Sequence, residues 1–150
     1  MERISSFCAD HTKIAPGIYK ARIDGDITTY DLRTRKPNAG DYMDHSTMHT
    51  FEHMFATFVR NSEIKDRVIY FGPMGCQTGF YLLIRDADDN ETVAVIKDIL
   101  KKITEYEGEV FGSSEIECGN YRSLDLEKSK TEARGYLEVM DRNGFVKYYD

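Results

Sequence analysis

The sequence lacks tryptophan, holds only three prolines and three cysteines, and contains no long uncharged apolar run. A bilayer span needs about 20 consecutive apolar residues, so we expect no membrane partner. The cysteines are odd in number and far apart, which does not suit a disulfide framework. Because the first residues also lack the apolar core of a signal peptide, we expect a cytoplasmic protein with reduced thiols.

Basic charge is also scarce. The chain has 20 lysines and arginines against 26 acidic residues, a formal net charge of −6 and a pI near 5.2. Nucleic-acid-binding surfaces interleave basic runs with aromatics, and none occurs here, so nucleic acid is not an expected partner. At 150 residues with 41% hydrophobic composition, and without repeats or linkers, residues 1–150 are expected to form a single domain.

Strand and helix signals alternate irregularly along the chain. Segments 17–23 and 27–33 are rich in β-branched and aromatic residues, and the Asp24-Gly25 pair between them predicts a hairpin. Further strands are predicted at 67–71 and 80–84. A first helix is predicted at about 45–62, with Asp44 or Ser46 as its cap, and a second helix follows the capping pair Asp88 and Glu91. A last helix is predicted at about 124–140. This order predicts an α+β fold in which a small, mainly antiparallel sheet packs against helices.

The string HTFEH at positions 49–53 is the first chemical signal. On a helix, His49 and His53 lie about 40° apart and can converge on one ion, while apolar residues occupy the opposite arc. Glu52 lies at the margin between the two faces. Partial desolvation there would raise its pKa, which suits a group that transfers protons near neutral pH. Two histidines on an ordinary polar helix surface remain the alternative.

Two cysteines lie in glycine-bounded turns. An ion held by two imidazoles needs at least one more protein ligand, and Cys118 in the turn ECGN is the candidate. Cys76 lies in the turn PMGCQTG, where a nearby cation such as Arg33 would favour its thiolate and let it act as a base. The alternatives are a half-buried turn cysteine at 118 and a core cysteine at 76. Cys8 is interpreted as structural.

Five strings together resemble the S-ribosylhomocysteine lyase (LuxS) family over nearly the whole chain. They are SF followed by DH near the start, YDLRTRKPN, HTFEH, PMGCQTGFY and ECGNYR. The resemblance implies a homodimeric lyase that converts S-ribosyl-L-homocysteine into L-homocysteine and 4,5-dihydroxypentane-2,3-dione by carbonyl migration and β-elimination. It also implies methyl-cycle recycling and a product that is a quorum-sensing signal precursor.

The same resemblance implies Fe2+ as the cofactor, for which Zn2+ or Co2+ can substitute, in active sites at the dimer interface. It assigns three kinds of residue: metal ligands His49, His53 and Cys118, acid/base groups Glu52 and Cys76, and substrate contacts Ser6, His11 and Arg33. One position departs from the family pattern. Many relatives carry an acidic residue six positions before the active-site cysteine, where this chain has Tyr70. How the amino-acid end of the substrate is held is therefore open.

Two other functions fit part of the pattern. HxxEH also marks inverzincin metalloproteases, in which a glutamate from a later helix is the third ligand. Glu127, Glu132 and Glu138 are available for that role, but a protease would leave Cys76 and Cys118 without a function. The second alternative is a non-catalytic metal-binding or metal-sensing protein that uses the same His/His/Cys ligands.

Overall fold

A computed structural model describes residues 1–149 and confirms the predicted α+β class. Its main elements are β1 (Gly17–Asp24), β2 (Ile27–Arg33), α1 (His45–Val59), β3 (Val68–Pro73), β4 (Gly79–Arg85), α2 (Asp89–Glu105), α3 (Leu126–Asn143) and β5 (Val146–Tyr148). The five strands form a sheet in the order β3-β4-β2-β1-β5. All neighbouring pairs are antiparallel except β1 and β5, which are parallel.

The helices pack on one face of this sheet through a shared apolar core. Successive residues of a strand point to opposite faces, so Tyr30 and Leu32 of β2 enter this core while Asp31 and Arg33 point to the other face. On the α1 side, fully buried Phe51 and Phe55 stack on aromatic rings of β3 and β4. This stacking fixes which side of α1 is turned away from the sheet.

Helix α1 begins where a side chain caps it and ends earlier than predicted. Asp44, rather than Ser46, is the cap, because its carboxylate accepts a hydrogen bond from the backbone N–H of Thr47 at 2.8 Å. The helix ends at Val59 instead of residue 62. Beyond it the backbone tightens, since the N–H of Asn61 bonds to the carbonyl three residues back at 3.1 Å.

The remaining elements match the predictions closely, with one omission. Asp88 caps α2 by accepting from the backbone N–H of Glu91 at 2.8 Å, but the Glu91 carboxylate pairs with Arg67 instead of returning to the cap. Helix α3 continues through Gly135. The short strand β5 was not predicted, because three residues are too few to show a period of two. Within residues 1–149, no helix combines the length and apolarity that a bilayer crossing requires.

Candidate metal centre and active site

The structure brings the three predicted metal ligands together. Ligand atoms of His49, His53 and Cys118 all lie within 4.8 Å of one another. The two histidines project from the side of α1 opposite its buried phenylalanines, and Cys118 comes from the irregular segment between α2 and α3. The sulfur of Cys118 is 3.4 Å from Nε2 of His49. The arrangement is a possible His/His/Cys metal site.

A serine orients the first of these imidazoles. Nδ1 of His49 lies 2.7 Å from the hydroxyl oxygen of Ser123, and that hydroxyl donates its own hydrogen to the carbonyl of Asn120 at 3.0 Å. The serine oxygen therefore accepts from Nδ1–H, which leaves Nε2 with a lone pair directed at the cluster. Burial, with the neighbouring imidazoles of His53 and His45, lowers the pKa of His49 and favours the neutral, ligating form.

The main chain orients the second imidazole. Nδ1 of His53 lies 2.8 Å from the carbonyl oxygen of Phe111, and a carbonyl can only accept, so the proton is on Nδ1 and Nε2 is open. The next residue, Gly112, has φ +68°, and a Cβ there would lie 3.2 Å from His53 Nδ1. The positive φ favours glycine, and any larger residue would also push His53 or the loop by a few tenths of an ångström. Neither Ser123 nor Phe111 was predicted, because both are remote in sequence from the helix.

The donor set fits a borderline transition metal. Two imidazole nitrogens and one thiolate sulfur suit Fe2+, Zn2+ or Co2+ better than Mg2+ or Ca2+, which prefer oxygen. With three protein ligands, a bound ion would keep a coordination position open, as in catalytic rather than structural sites. The metalloprotease alternative lacks its third ligand within residues 1–149, since the cluster contains no glutamate of α3 and Glu132 pairs with Arg35 at 2.6 Å.

Glu52 lies next to His53 on α1, and its side chain is half-buried. Burial raises the pKa of its carboxyl, and the neighbouring imidazole of His53 offsets that rise only in part. The direction agrees with the desolvation expected from its place at the margin of the apolar face. A raised pKa brings the carboxyl closer to the pH range in which a group can both take up and release a proton.

A second cluster surrounds Cys76. The guanidinium of Arg33, almost fully buried, binds both carboxylate oxygens of Asp31 at 3.0 and 2.6 Å and the hydroxyl of Thr78 at 2.8 Å. Its Nη1 is 3.9 Å from the Cys76 sulfur. Cys76 is exposed, so the alternative of a core cysteine is wrong. The next residue, Gln77, has φ +66°, so the backbone turns in the left-handed region here, between β3 and β4.

The predicted substrate contacts lie around this thiol. Ser6, His11, Arg33 and Cys76 line one cavity of about 400 Å³. Tyr81 of β4 also lines it, and burial together with the charge of Asp31 raises the pKa of that phenol. Tyr81 was missed, although its place in the string PMGCQTGFY, five residues after Cys76, put it on a predicted strand.

The two clusters lie on opposite sides of the molecule. His49 and His53 are on the side of α1 turned away from the sheet, whereas Arg33 is on the sheet face turned away from the helices. The core between α1 and the sheet separates them. Within one chain, therefore, the His/His/Cys cluster and the Cys76 cavity do not face each other.

The fold and its clusters define a small α+β protein with a possible His/His/Cys metal site and a separate thiol-containing cavity. The chain belongs to the LuxS (S-ribosylhomocysteinase) family, whose model matches residues 4–145. It is similar to the S-ribosylhomocysteine lyase of Desulfotalea psychrophila, with 45% identity over 94% of this chain and 93% of the relative. The enzymes of that name from Finegoldia magna (44% identity, 94% and 93% covered) and Borreliella burgdorferi (39%, 94% and 94%) are similar over the same extent.

Proposed function

We propose that this chain is a metal-dependent carbon–sulfur lyase that converts S-ribosyl-L-homocysteine into L-homocysteine and 4,5-dihydroxypentane-2,3-dione. Relatives named S-ribosylhomocysteine lyase are similar to it over nearly its whole length. The observation that carries the proposal is the assembly of His49, His53 and Cys118 beside the half-buried carboxyl of Glu52. We also propose that the reaction serves methyl-cycle recycling and that its dione product is a precursor of a quorum-sensing signal.

The proposed cofactor is Fe2+, held by His49, His53 and Cys118, with Zn2+ or Co2+ as substitutes. The fixed Nδ1 hydrogen bonds of both histidines support this role, because they aim Nε2 and set its tautomer before any ion arrives. When bound, such an ion supplies Lewis-acid stabilisation of the negative charge that develops on substrate oxygen. The chemistry requires no redox change.

The reaction needs repeated proton transfer at carbon. The carbonyl of the open-chain sugar moves from the first to the second and then the third carbon, after which homocysteine thiolate leaves from the fifth. Each step removes a proton from a carbon next to a carbonyl and returns one elsewhere. Glu52 and Cys76 are the proposed proton carriers, while Ser6, His11 and Arg33 hold the substrate around the Cys76 sulfur.

The active unit is proposed to be a homodimer. The two clusters lie on opposite sides of one chain, yet the reaction needs the metal ligands and the Cys76 thiol at one substrate. A second copy that packs its Cys76 cavity against the His/His/Cys cluster of the first would complete two equivalent sites by two-fold symmetry. The three free cysteines are consistent with the proposed cytoplasmic, reducing location.

Thiol release tests the proposed activity directly. Iron-loaded protein is incubated anaerobically with S-ribosylhomocysteine, and homocysteine is titrated with a thiol reagent after the protein is removed. We expect stoichiometric thiol release. The absence of thiol release would refute the lyase, and cleavage of a peptide substrate instead would favour the metalloprotease.

Matched variants separate the lyase from a metal-binding or metal-sensing protein. Cys76→Ala and Glu52→Gln should keep the metal and lose about 100- to 10,000-fold in turnover, the range of general acid–base groups. Cys8→Ala, the control at another exposed cysteine, should keep both. If Cys76→Ala retained full turnover, the thiol would have no role. Loss of metal from Glu52→Gln would show that this carboxylate is a ligand.

A further inference from the structure

The thiol of Cys76 has a closer polar neighbour than Arg33. Its sulfur lies 3.0 Å from the hydroxyl oxygen of Thr78, whereas Nη1 of Arg33 is 3.9 Å away. Thr78 is buried, with 1% of its surface exposed, so no bulk water competes for its hydroxyl. The hydroxyl is therefore the nearest group that can respond to charge on the sulfur.

The direction of the Thr78 hydrogen follows from its two partners. Nη1 of Arg33 donates to the threonine oxygen at 2.8 Å, and a guanidinium cannot accept. The remaining partner of this hydroxyl within residues 1–149 is the Cys76 sulfur. A buried hydroxyl hydrogen left without an acceptor would be costly, so it points at the sulfur, and the sulfur accepts.

The backbone holds this hydroxyl in place. The carbonyl of Thr78 accepts hydrogen bonds from the N–H groups of Thr34 and Arg35 at 3.1 and 3.0 Å, which ties the turn to the end of β2. On the other side, Asp31 holds the Arg33 guanidinium through two bonds and also accepts from the hydroxyl of Tyr149 at 2.6 Å. Both groups that lead to the Cys76 sulfur, the Arg33 guanidinium and Thr78, are therefore held in place before substrate arrives.

We propose that Thr78 is a positioning residue whose hydroxyl, polarised by Arg33, donates to the Cys76 sulfur and stabilises it as a thiolate. This rests on the proposed function, in which Cys76 carries protons. A thiolate that accepts a hydrogen bond is favoured over the thiol, which accepts less strongly. Thr78 thus links the buried Asp31–Arg33 ion pair to the reacting sulfur.

Other charged and titratable groups also face Cys76. His11, Tyr42, Arg33 and Tyr81 line cavities together with it. Asp31 binds the Arg33 guanidinium and accepts from Tyr149, which adds two further groups behind Arg33. Of these six residues, Arg33 is the one that hydrogen-bonds to the sulfur, at 3.9 Å. A variant that removes the Thr78 hydroxyl and keeps its volume leaves all six in place.

Alkylation of Cys76 in the zinc-loaded protein measures its thiolate without requiring catalysis. Iodoacetamide labelling is followed across pH by mass spectrometry of the Cys76 peptide. A hydrogen bond to a charged group is worth about one to two pH units, and the greater nucleophilicity of a more basic thiolate partly offsets its lower population. We expect Cys76 in Thr78→Val to be alkylated roughly three- to tenfold more slowly below neutral pH. Its curve of labelling rate against pH should shift to higher pH.

Two variants and one internal reference make the result decisive. Cys76 in Thr78→Ser, which keeps a hydroxyl, should be labelled as in the wild type. The same is expected for Thr34→Val, because the Thr34 hydroxyl that it removes contacts the Thr78 carbonyl instead of the sulfur. In the wild type, Cys76 should label at lower pH than exposed Cys8. That comparison holds even if Thr78→Val does not fold.

The proposal is overturned if Thr78→Val labels like the wild type, if Thr34→Val slows it equally, or if wild-type Cys76 needs the same pH as Cys8. Thiol release from S-ribosylhomocysteine is scored separately. A wild type that releases no homocysteine but shows the predicted labelling profiles would refute the lyase and leave the role of Thr78 standing.

Discussion

Removing the hydroxyl of Ser123, which is not one of the proposed ligands, should weaken metal binding. Ser123 accepts from Nδ1–H of His49 at 2.7 Å and is itself held through its bond to the Asn120 carbonyl. In Ser123→Ala the imidazole loses the partner that selects its tautomer and its ring orientation. His53 has no equivalent weakness, because its partner is the main-chain carbonyl of Phe111, which no side-chain substitution removes.

The size of the effect follows from the role of such outer contacts. Their loss costs about 10- to 100-fold in metal affinity, which is about 1.4–2.8 kcal/mol. Competition against a fluorescent chelator, with Zn2+ or Co2+ as oxygen-stable ions, measures this directly. Turnover at saturating metal should change less than affinity, because the ligands themselves remain.

The control is Ser46→Ala, which removes a neighbouring hydroxyl that donates to the Ser123 carbonyl at 2.5 Å and not to His49. It should bind metal within about twofold of the wild type. If Ser123→Ala kept wild-type affinity, or if Ser46→Ala lost as much, the hydrogen bond to His49 would not be what orients the ligand, and the reasoning would fail.

Three further variants test the framework around the site. Asp44→Ala should cost about 1 kcal/mol of stability in urea unfolding at pH 7, since it removes the cap of α1. The Lys128 ammonium holds the pKa of Asp44 well below its ordinary 3.8. The stabilisation by the Asp44 carboxylate is therefore complete above pH 3.8 and is lost as the pH falls below it, so wild type and variant should converge in strong acid. Phe55→Ala should cost about 3–5 kcal/mol, because the ring is fully buried; a loss below 1 kcal/mol would mean that the core relaxes around it. Gly112→Ala should weaken Zn2+ binding in the chelator assay by crowding His53, and unchanged affinity would show that the loop yields.

Local signals account for the parts of the fold that the sequence predicted well. The capped helices and the hairpin depend on neighbours within a few residues, such as Asp88 with Glu91 and Gly25 in its left-handed turn. Strand β5 was missed because three residues show no period of two and because its partner, β1, lies more than a hundred residues earlier in the chain. The end of α1 was misplaced because no glycine or proline marks it.

The candidate site shows the same division. The spacing of His49 and His53 is a property of one helix turn, and the structure keeps it. Cys118 was proposed from residue type and a glycine turn, and the long irregular segment that carries it has no period from which its position could be calculated. Ser123 and the Phe111 carbonyl carry no pattern at all, since an oxygen that orients an imidazole can come from any loop that the fold delivers.

Helix α1 both packs the core and carries two of the candidate metal ligands, so core packing and metal affinity are coupled. Side-chain ends lie about 5–6 Å from a helix axis, so a roll of about 10° moves them by about 1 Å. The stacked rings of Phe51 and Phe55 set that roll, and the ligand atoms of His49 and His53 project from the same rigid rod. Repacking the interior would therefore retune the affinity for metal, and selection for a better ion site would act on residues that never meet the ion.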